Sequence, residues 1–337
     1  DHATLRPQVR LWPGLHIQAG SRVTSTQVHG PGPGSLHFDN YGNIHGVIGG
    51  DVDTEQVMDL GSALASMGQV ALGHCGGAGA EALALAAAAG VTAAGGWVIR
   101  HDGATPAAAN WLCDYYGLSG GLFLEQQGEQ LTLYPITAGG QPLEREAQRK
   151  LENDLLRRNF RRPPAEEMGG ESQLASVMES YLAAAVHGAG AAGSYPCTLA
   201  VEPGQTLLKQ GLRWLGCQLA ERDVVGVPAV ALASGGRELL IWTEDGERRS
   251  REEVLLLTCA ALLDSGQRSL YLPPEAPAAI ERLARDRGGT VQRMESGVPT
   301  GCQRSLRDGL FAACQIVRYV QRTGETLSQV FQRLPGC

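Results

Sequence analysis

The sequence predicts an α/β fold made of several α/β domains in succession. One arrangement occurs three times along the chain: an apolar strand, a polar or Gly-rich turn, a helix and a second strand. Because a helix that follows one strand returns the chain to the same end of the sheet, the two strands of each unit are expected to be parallel. The length of 337 residues is too great for one ordinary core and fits two or three domains.

The three repeats lie on well-separated stretches of the chain. Apolar runs bounded by turn residues predict the strands, and helical patterns followed by glycine predict the helices. The first strands are predicted at 70–73, 198–201 and 269–272, the helices at 81–89, 206–215 and 276–287, and the second strands at 97–99, 217–219 and 290–292. This separation predicts three related domains and not one large sheet, with bounds of 35–168, 169–250 (a shortened domain) and 251–337.

The N-terminal stretch, residues 1–34, follows a different pattern with a period of six. Leu11, Ile17 and Val23 recur at this spacing, and so do Gly14 and Gly20. One inward aliphatic residue in every six is typical of a left-handed parallel β-helix, whose coils stack on their neighbours for stability. We expect this stretch to be the remnant of a β-helix with a Gly/Pro linker, in a chain that continues a longer protein. A plain extended arm is the alternative.

Composition and charge argue against several classes of protein. A net charge of −7 argues against nucleic acid as the main partner. The most apolar window, residues 80–99, is interrupted by glycines, so no membrane partner is expected. The eight cysteines form no C-x-x-C pair, which indicates neither a zinc knuckle nor a disulfide framework and fits a reduced, cytoplasmic location.

A glycine-rich stretch after the first predicted strand matches a dinucleotide-binding pattern. Residues 77–82 read G-x-G-x-x-A ahead of a helix, and Asp102 follows the next strand. In such turns the glycines let the backbone approach a pyrophosphate at the helix N-terminus. The strand is predicted to end at Gly73, so the motif begins late, and close packing of helix on sheet accounts for the glycines better. A dinucleotide-binding enzyme remains an alternative.

A series of motifs in fixed order resembles the α-D-phosphohexomutase superfamily, which includes phosphomannomutases and phosphoglucomutases. The similarity runs from about Leu36 to Pro335. The motifs are an opening turn at 38–46, a helix start at 52–57 with Leu60 and Gly61, a first strand at 70–73, a T-P turn at 103–106, an R-D-G helix start at 307–309, and the stretches 326–328 and 334–335. The resemblance implies three mutase-like domains, with the family's fourth domain absent.

The N-terminal hexads add a second resemblance. Residues 11–13 and 20–21, followed by the turn that begins at Phe38, look like the junction in fusions with a sugar-nucleotidyltransferase of the mannose-1-phosphate guanylyltransferase type. This resemblance implies an upstream nucleotidyltransferase region as a partner in the same chain. A sugar phosphate is the expected ligand, and a homo-oligomer is the expected assembly.

The serine that transfers the phosphoryl group in the family has no counterpart at the expected place. In the family this serine lies in a T-A-S-H-N-P motif shortly after a Gly-Gly pair. Here Gly120 and Gly121 are followed by residues 122–128, which contain no hydroxyl group, histidine or proline. Ser119 precedes the glycines and Thr132 lies in the next predicted strand, so neither replaces the serine. We therefore assign no catalytic residue.

The family's magnesium loop, D-G-D-G-D-R, is also altered. Its counterpart is the stretch 233–238, in which Ala233, Gly235 and Arg237 stand at the three carboxylate positions and Glu238 stands at the arginine. Mg²⁺ is bound through oxygen ligands, and carboxylates supply the negative charge. Magnesium is expected in the family, but neither a metal nor another cofactor is expected in this chain.

Two histidines stand where the family has charged groups. His45 replaces the arginine of the opening turn, and His74 lies beside Cys75 and Gly77, which replace a D-x-R motif. We expect His45 and His74 to form the remaining substrate-binding site, for an anion. The sequence thus predicts a phosphohexomutase-like module of sugar-nucleotide metabolism that is catalytically inactive and structural or regulatory for the attached nucleotidyltransferase. The alternative is an active phosphohexomutase with atypical residues.

Overall fold

Helices and strands alternate along the computed structural model, which describes residues 4–5, 22–23, 36–221, 224–294 and 303–335. The helices in this part are α1 (Thr54–Leu64), α2 (Ala78–Ala93), α3 (Pro106–Tyr115), α4 (Arg145–Arg157), α5 (Val177–Gly188), α6 (Thr206–Trp214), α7 (Arg251–Asp264), α8 (Ala279–Asp286), α9 (Gly309–Thr323) and α10 (Leu327–Arg333). The strands are β1 (Thr4–Leu5), β2 (Arg22–Val23), β3 (Ile44–Val47), β4 (Gln69–Cys75), β5 (Trp97–His101), β6 (Gly120–Gln127), β7 (Gln130–Thr137), β8 (Glu171–Leu174), β9 (Thr198–Val201), β10 (Gln218–Ala220), β11 (Ala229–Ala233), β12 (Glu238–Trp242), β13 (Ser269–Leu272) and β14 (Thr290–Arg293).

Internal contacts divide the chain into two compact units. The first unit comprises Asp1–His101 and Leu118–Leu174, and the second comprises Asp102–Gly117 and Ala175–Cys337. The domain bounds predicted from the sequence, 35–168, 169–250 and 251–337, stay predictions.

The first unit is organised around a mixed sheet of six strands in the order β3-β7-β6-β4-β5-β8. Strands β6, β4, β5 and β8 run parallel, and β7 pairs antiparallel with both β6 and β3. One face of this sheet packs against α1 and α2 and forms a core of aliphatic side chains, among them Leu72, Leu124 and Leu133. Because side chains alternate between the two faces of a sheet, the burial of this face fixes which residues of each strand point towards the helices.

Glycines bring α1 and α2 unusually close together. A Cβ atom added at Gly61 would lie 2.2 Å from the carbonyl oxygen of Ala87, and one added at Gly90 would lie 2.0 Å from that of Met58. Only glycine permits this approach of the two backbones. The interruption of the apolar window 80–99 by Gly90 is therefore a packing requirement.

The second unit contains two smaller sheets. The first has four strands in the order β10-β9-β11-β12, in which β9 is parallel to β10 and β11, and β12 is antiparallel to β11. The other is formed by the parallel pair β13 and β14. Helix α9 runs through this unit with most of its residues buried, among them Leu310, Cys314 and Tyr319.

The three predicted strand–helix–strand repeats are confirmed. Strands β4 and β5, β9 and β10, and β13 and β14 are each parallel pairs, and a helix connects the two strands of each pair. Several boundaries differ: helix α2 spans Ala78–Ala93 against the predicted 81–89, and β10 spans Gln218–Ala220 against 217–219. Strand β4 continues to Cys75, beyond the predicted end at Gly73, because β6 keeps pairing with it to that point. Helix α8 begins at Ala279 and not at 276, after a turn that contains Pro277.

The N-terminal stretch contributes one parallel pair to the described residues. Thr4 pairs with Arg22 and Leu5 with Val23, an offset of 18 residues, which equals three periods of six. Leu11 and Ile17 lie outside the described residues. The β-helix therefore stays a prediction.

The described helices are too short to cross a lipid bilayer. The longest, α2, has 16 residues, whereas a helix needs about 20 to span the hydrocarbon core. Within residues 36–221, 224–294 and 303–335 no helix combines the length and the apolar character that a membrane span requires.

Candidate functional site

The N-terminus of α2, where the dinucleotide pattern predicted an anion, is closed by a side chain of the chain itself. The amide oxygen of Gln126 accepts a hydrogen bond of 2.9 Å from the backbone N–H of Ala80. The amide nitrogen of Gln126 donates to the carbonyl oxygen of Gly128 at 2.8 Å, which fixes the orientation of the side chain. A free helix N-terminus attracts anions, but here a neutral amide occupies that position.

The glycines of the dinucleotide pattern make room for this amide. A Cβ atom added at either Gly77 or Gly79 would lie 2.9 Å from the Gln126 amide oxygen. The acidic residue of the pattern is engaged as well, because the Asp102 carboxylate accepts hydrogen bonds of 2.8 and 2.9 Å from the backbone N–H groups of Ser176 and Val177 at the start of α5. The motif residues thus serve packing and capping in this structure.

The stretch at which the resemblance implies the family's serine forms a tight turn between two strands. Strand β6 begins at Gly120 and pairs antiparallel with β7 through to its last residue, where Gln127 faces Gln130. Only Gly128 and Glu129 connect the two strands. A connection of two residues is the shortest common hairpin loop, so it leaves no segment that could present a nucleophile to a ligand.

The counterpart of the magnesium loop is another short connection between antiparallel strands. Ala233 ends β11, residues Ser234–Gly236 form one turn of 3-10 helix, and β12 begins at Glu238. The loop packs against the start of α3, where a Cβ atom added at Gly235 would lie 2.6 Å from Pro106. The predicted T-P turn is confirmed there, since the hydroxyl of Thr105 caps α3 through the N–H of Ala108 at 3.2 Å.

The side chains of this loop do not fit Mg²⁺. Its oxygen donors are the hydroxyl of Ser234 and the carboxylate of Glu238, and the latter pairs with the guanidinium of Arg251 at 3.3 Å. Arg237 brings a positive charge to the last of the three positions at which the resemblance implies a carboxylate. Mg²⁺ requires an octahedron of oxygens in which carboxylates offset its charge. In the described part of the chain, no three His, Cys, Asp or Glu side chains are grouped so that they could hold a metal ion.

The R-D-G helix start lies in a buried polar cluster of the second unit. The Asp308 carboxylate caps α9 by accepting from the N–H groups of Leu310 and Phe311 at 3.0 and 3.3 Å. It also accepts from the hydroxyl of Tyr181, at 2.7 and 2.8 Å to its two oxygens. Burial raises the pKa of Asp308 to about 6, against the lowering effect of these hydrogen bonds.

An ion pair lies near this carboxylate. The guanidinium of Arg304 pairs with the Asp114 carboxylate, and both side chains are largely buried. The positive charge of Arg304 also lowers the pKa of Asp308. The sequence motif identified Asp308, but neither Tyr181 nor the pair of Arg304 and Asp114 belongs to any pattern at its position in the chain.

The two predicted binding histidines do not meet. His45 lies in one row of the sheet with Thr132, Glu125 and Cys75, one residue from each of four neighbouring strands. His74 lies in the adjacent row with the buried core residues Leu124, Leu133 and Ile44. Adjacent rows of a sheet face opposite sides. One anion cannot bridge His45 and His74 across the sheet.

His45 has local partners on its own face. One ring nitrogen lies 2.9 Å from the Asp39 carboxylate and the other 3.1 Å from the hydroxyl of Thr132. Its side chain is about half exposed. The pKa of Asp39 is lowered by hydrogen bonds from the N–H of Asn43 and from His45, although its partial burial acts in the opposite direction.

Comparison with solved structures identifies the fold. A phosphoglucomutase/phosphomannomutase family protein from Burkholderia thailandensis superposes with a TM-score of 0.72 at 17% identity, over 88% of this chain and 79% of that one. The chain has the phosphohexomutase fold. A phosphomannomutase structure, described as putative, from Thermus thermophilus gives a TM-score of 0.69 at 16% identity, over 90% of this chain and 84% of that one.

A more distant phosphoglucomutase structure agrees. The open form of a phosphoglucomutase from Paramecium, pp63/parafusin, gives a TM-score of 0.53 at 10% identity, over 83% of this chain and 70% of that one. No family model and no curated protein sequence matches the chain. The fold predicted from the order of the motifs is thus confirmed by structure, at an identity too low to transfer an activity.

Proposed function

We propose that this chain is a non-catalytic phosphohexomutase-like module of sugar-nucleotide metabolism. The observation that carries the proposal is the loop Ala233–Glu238. Phosphoryl transfer depends on positioned charge, and the divalent cation is the main positive charge near the transferred group. Without the three carboxylates, and with Arg237 at the third carboxylate position, this loop lacks the ligands to hold that cation.

The hairpin of β6 and β7 supports the same conclusion. A phosphohexomutase needs a nucleophile to receive the phosphoryl group, and the side chain must project from a loop long enough to meet the sugar. The two residues of this turn, Gly128 and Glu129, provide no hydroxyl or thiol group. The metal ligands expected between β11 and β12 and the nucleophile expected between β6 and β7 are therefore both missing, and the two positions belong to different sheets.

A mutase assay tests the proposal. The chain is mixed with glucose 1-phosphate or mannose 1-phosphate, Mg²⁺ and the matching hexose bisphosphate, and the 6-phosphate is measured with a coupled dehydrogenase. We expect no turnover above the blank, while an active phosphohexomutase in the same buffer gives full conversion. Turnover by this chain that disappears in the variants Ser234→Ala or Glu238→Gln would overturn the proposal.

The role we infer for the module is structural or regulatory, for a sugar-nucleotidyltransferase region in the same protein. The offset of 18 residues between β1 and β2 supports it, because one turn of a β-helix made of three hexads brings residue i next to residue i+18. Sequencing the gene upstream of the codon for Asp1 tests this part. We expect further hexads and a nucleotidyltransferase domain, and an upstream region without hexads would overturn it.

A further inference from the structure

The second unit contains a cavity of about 210 Å³ between its four-stranded sheet and α9. Leu199, Val230 and Ile241 line it from the sheet, and Ile316, Val317 and Val320 line it from the helix. An aliphatic cavity of about 150 Å³ is large enough to bind a benzene molecule. The cavity therefore has the size and lining to accept a small apolar molecule.

Residues at one end of the cavity are open to solvent. Pro196 and Thr198 on one side, and Gly324 and Thr326 on the other, both line the cavity and are exposed. A small molecule can therefore reach the interior from this end. This rim also contains the start of β9, the strand that follows Cys197.

Cys197 lies in the wall of this cavity and has a second cysteine beside it. Strands β9 and β10 pair in parallel with Thr198 opposite Gln218, so Cys197 and Cys217 precede the two strands at the same level. The backbone N–H of Gln218 donates to the carbonyl oxygen of Cys197 at 2.9 Å. Neighbouring strands are about 4.8 Å apart, which lies within the Cα separation of disulfides.

The two thiols differ chemically. The Cys217 thiol forms a hydrogen bond with Cys197, and this bond lowers the pKa of Cys197 despite its burial. The same bond raises the pKa of Cys217. Cys197 lines the cavity, and since the thiolate is the nucleophile, its lowered pKa favours Cys197 as the attacking sulfur and Cys217 as its resolving partner. By contrast, burial raises the pKa of Cys113, Cys259 and Cys314 to about 12 each.

We propose that Cys197 and Cys217 form a reversible thiol–disulfide site that is oxidised by apolar hydroperoxides entering through the cavity. The Cys197 thiolate attacks the terminal oxygen of the hydroperoxide, the O–O bond breaks, and the alkoxide leaves and takes up the proton released from the thiol. Cys197 becomes a sulfenic acid. The sulfur of Cys217 then attacks that of Cys197, the S–O bond breaks, and hydroxide leaves with the Cys217 proton as water. Two thiols and one hydroperoxide give one disulfide, one alcohol and one water.

The cavity determines which oxidant is favoured. Most of its lining is apolar, although Thr198, Glu244, Glu325 and Thr326 also line it. An alkyl or aryl hydroperoxide therefore gains from transfer out of water, whereas hydrogen peroxide gains nothing. We expect cumene hydroperoxide to oxidise the pair at least tenfold faster than hydrogen peroxide at equal concentration. Equal rates would overturn the route through the cavity.

Peptide mapping of the whole chain measures the reaction at the site. Trypsin cleaves after Lys209 and Arg213, so Cys197 and Cys217 fall on different peptides, and a disulfide joins them. After treatment with cumene hydroperoxide we expect the linked peptide, and its loss on reduction with dithiothreitol. In Cys217→Ser, the sulfenic acid on Cys197 should accumulate and react with dimedone. No linked peptide, in a sample where the partly exposed Cys75 is oxidised, would overturn the proposal.

Matched variants distinguish the site from general thiol oxidation. Cys314→Ser removes a neighbouring buried thiol and should leave the rate of disulfide formation unchanged. Val317→Phe fills the cavity and should lower the rate with cumene hydroperoxide at least tenfold. Alkylation of the fully buried Cys259 reports unfolding in every sample, so a variant that fails to fold is recognised. If Val317→Phe stays folded and reacts as fast as the wild-type chain, the cavity is not the route.

Discussion

The N-termini of α2 and α9 are both capped by side chains of the chain itself, and the two side chains differ in charge and in burial. Helix α2 is capped by the neutral amide of Gln126, which is partly exposed and lies on a neighbouring strand. Helix α9 is capped by the ionisable carboxylate of Asp308, which is fully buried and shared with Tyr181. When a hydrogen-bond partner is removed from a buried site, the polar groups that it bonded are left without any partner. At the surface, water takes the place of the removed group. The comparison therefore predicts effects of different size and different pH dependence.

The largest effect is expected for Asp308→Ala. The substitution removes the cap of α9 and leaves the buried hydroxyl of Tyr181 without its acceptor, which together cost about 2–4 kcal/mol of the free energy of unfolding. Urea denaturation followed by circular dichroism measures the loss. Asp308→Asn is the control, because its amide oxygen can still accept from Leu310 and Phe311, and it should lose less than half as much. Equal losses in the two variants would show that the cap contributes nothing.

The pH dependence of stability sharpens the same comparison. The pKa of Asp308 is about 6 in the folded chain against the ordinary 3.8, so the folded state binds the proton more tightly. The stabilisation from this proton is fully present below about pH 4 and is lost as the pH rises through about 6, with a total on the order of 2–3 kcal/mol. The difference in unfolding free energy between wild type and Asp308→Asn should therefore change between pH 4 and pH 8.

Other carboxylates make the stability depend on pH in the opposite direction. The useful quantity is therefore the difference in unfolding free energy between the wild type and Asp308→Asn. The pKa values of Asp245 and Glu253 are lowered, for Asp245 chiefly by a hydrogen bond from Thr243 and for Glu253 by hydrogen bonds from Ser250. Their contribution is lost as the pH falls through these lowered pKa values. It is common to both chains and cancels. A difference that stays constant across the pH range would contradict the assignment to Asp308.

A smaller effect is expected at α2. Gln126→Ala removes the acceptor of the Ala80 N–H at a partly exposed position and should cost about 1 kcal/mol. It also opens the space that the amide fills between Gly77 and Gly79, so phosphate should raise the melting temperature of the variant more than that of the wild type. Thermal melts with and without phosphate measure this. Gln127→Ala, at the exposed neighbouring position, is the matched control and should show neither change.

The smallest effect concerns anion binding at His45. The resemblance of the opening turn aligns this half-exposed histidine with the family's arginine, so any bound sugar phosphate should be held less tightly when the imidazole is removed. Calorimetry with glucose 1-phosphate tests it, with His45→Gln as the variant and His74→Gln as the control on the opposite face of the sheet. Heat that is unchanged in His45→Gln would remove His45 from the site.

Local pattern was sufficient to predict most of the fold. The strand–helix–strand repeats depend on runs such as Thr198–Val201, whose apolar residues, turn residues and following helix are contiguous in sequence, and these elements lie where the pattern predicts them. The end of β4 was misplaced by two residues because pairing with β6, a tertiary interaction, extends the strand past Gly73. Propensity alone does not contain that contact.

The candidate sites were predicted less well, since they depend on which residues the sheet brings together. The altered loop 233–238 could be read directly, because its residues are consecutive. Whether His45 and His74 lie on the same face of the sheet depends on the register of four strands. A shift of one strand by one residue would move its side chains to the other face. That Cys197 and Cys217 lie side by side could have been predicted. Cys197 directly precedes the first predicted strand of the second repeat, and Cys217 begins the second. The cap by Gln126 had no sequence signal.

The short turn between β6 and β7 also has a consequence for engineering. A Cβ atom added at Gly128 would meet no atom within 4 Å, so inserted residues have open space outside the sheet. The entropy of closing a flexible loop grows slowly, by about 0.6 kcal/mol for each doubling of its length. A peptide inserted between Gly128 and Glu129 should therefore leave the six-stranded sheet intact. This turn is the natural point at which to graft a foreign loop, a fluorescent label or an affinity tag into the chain.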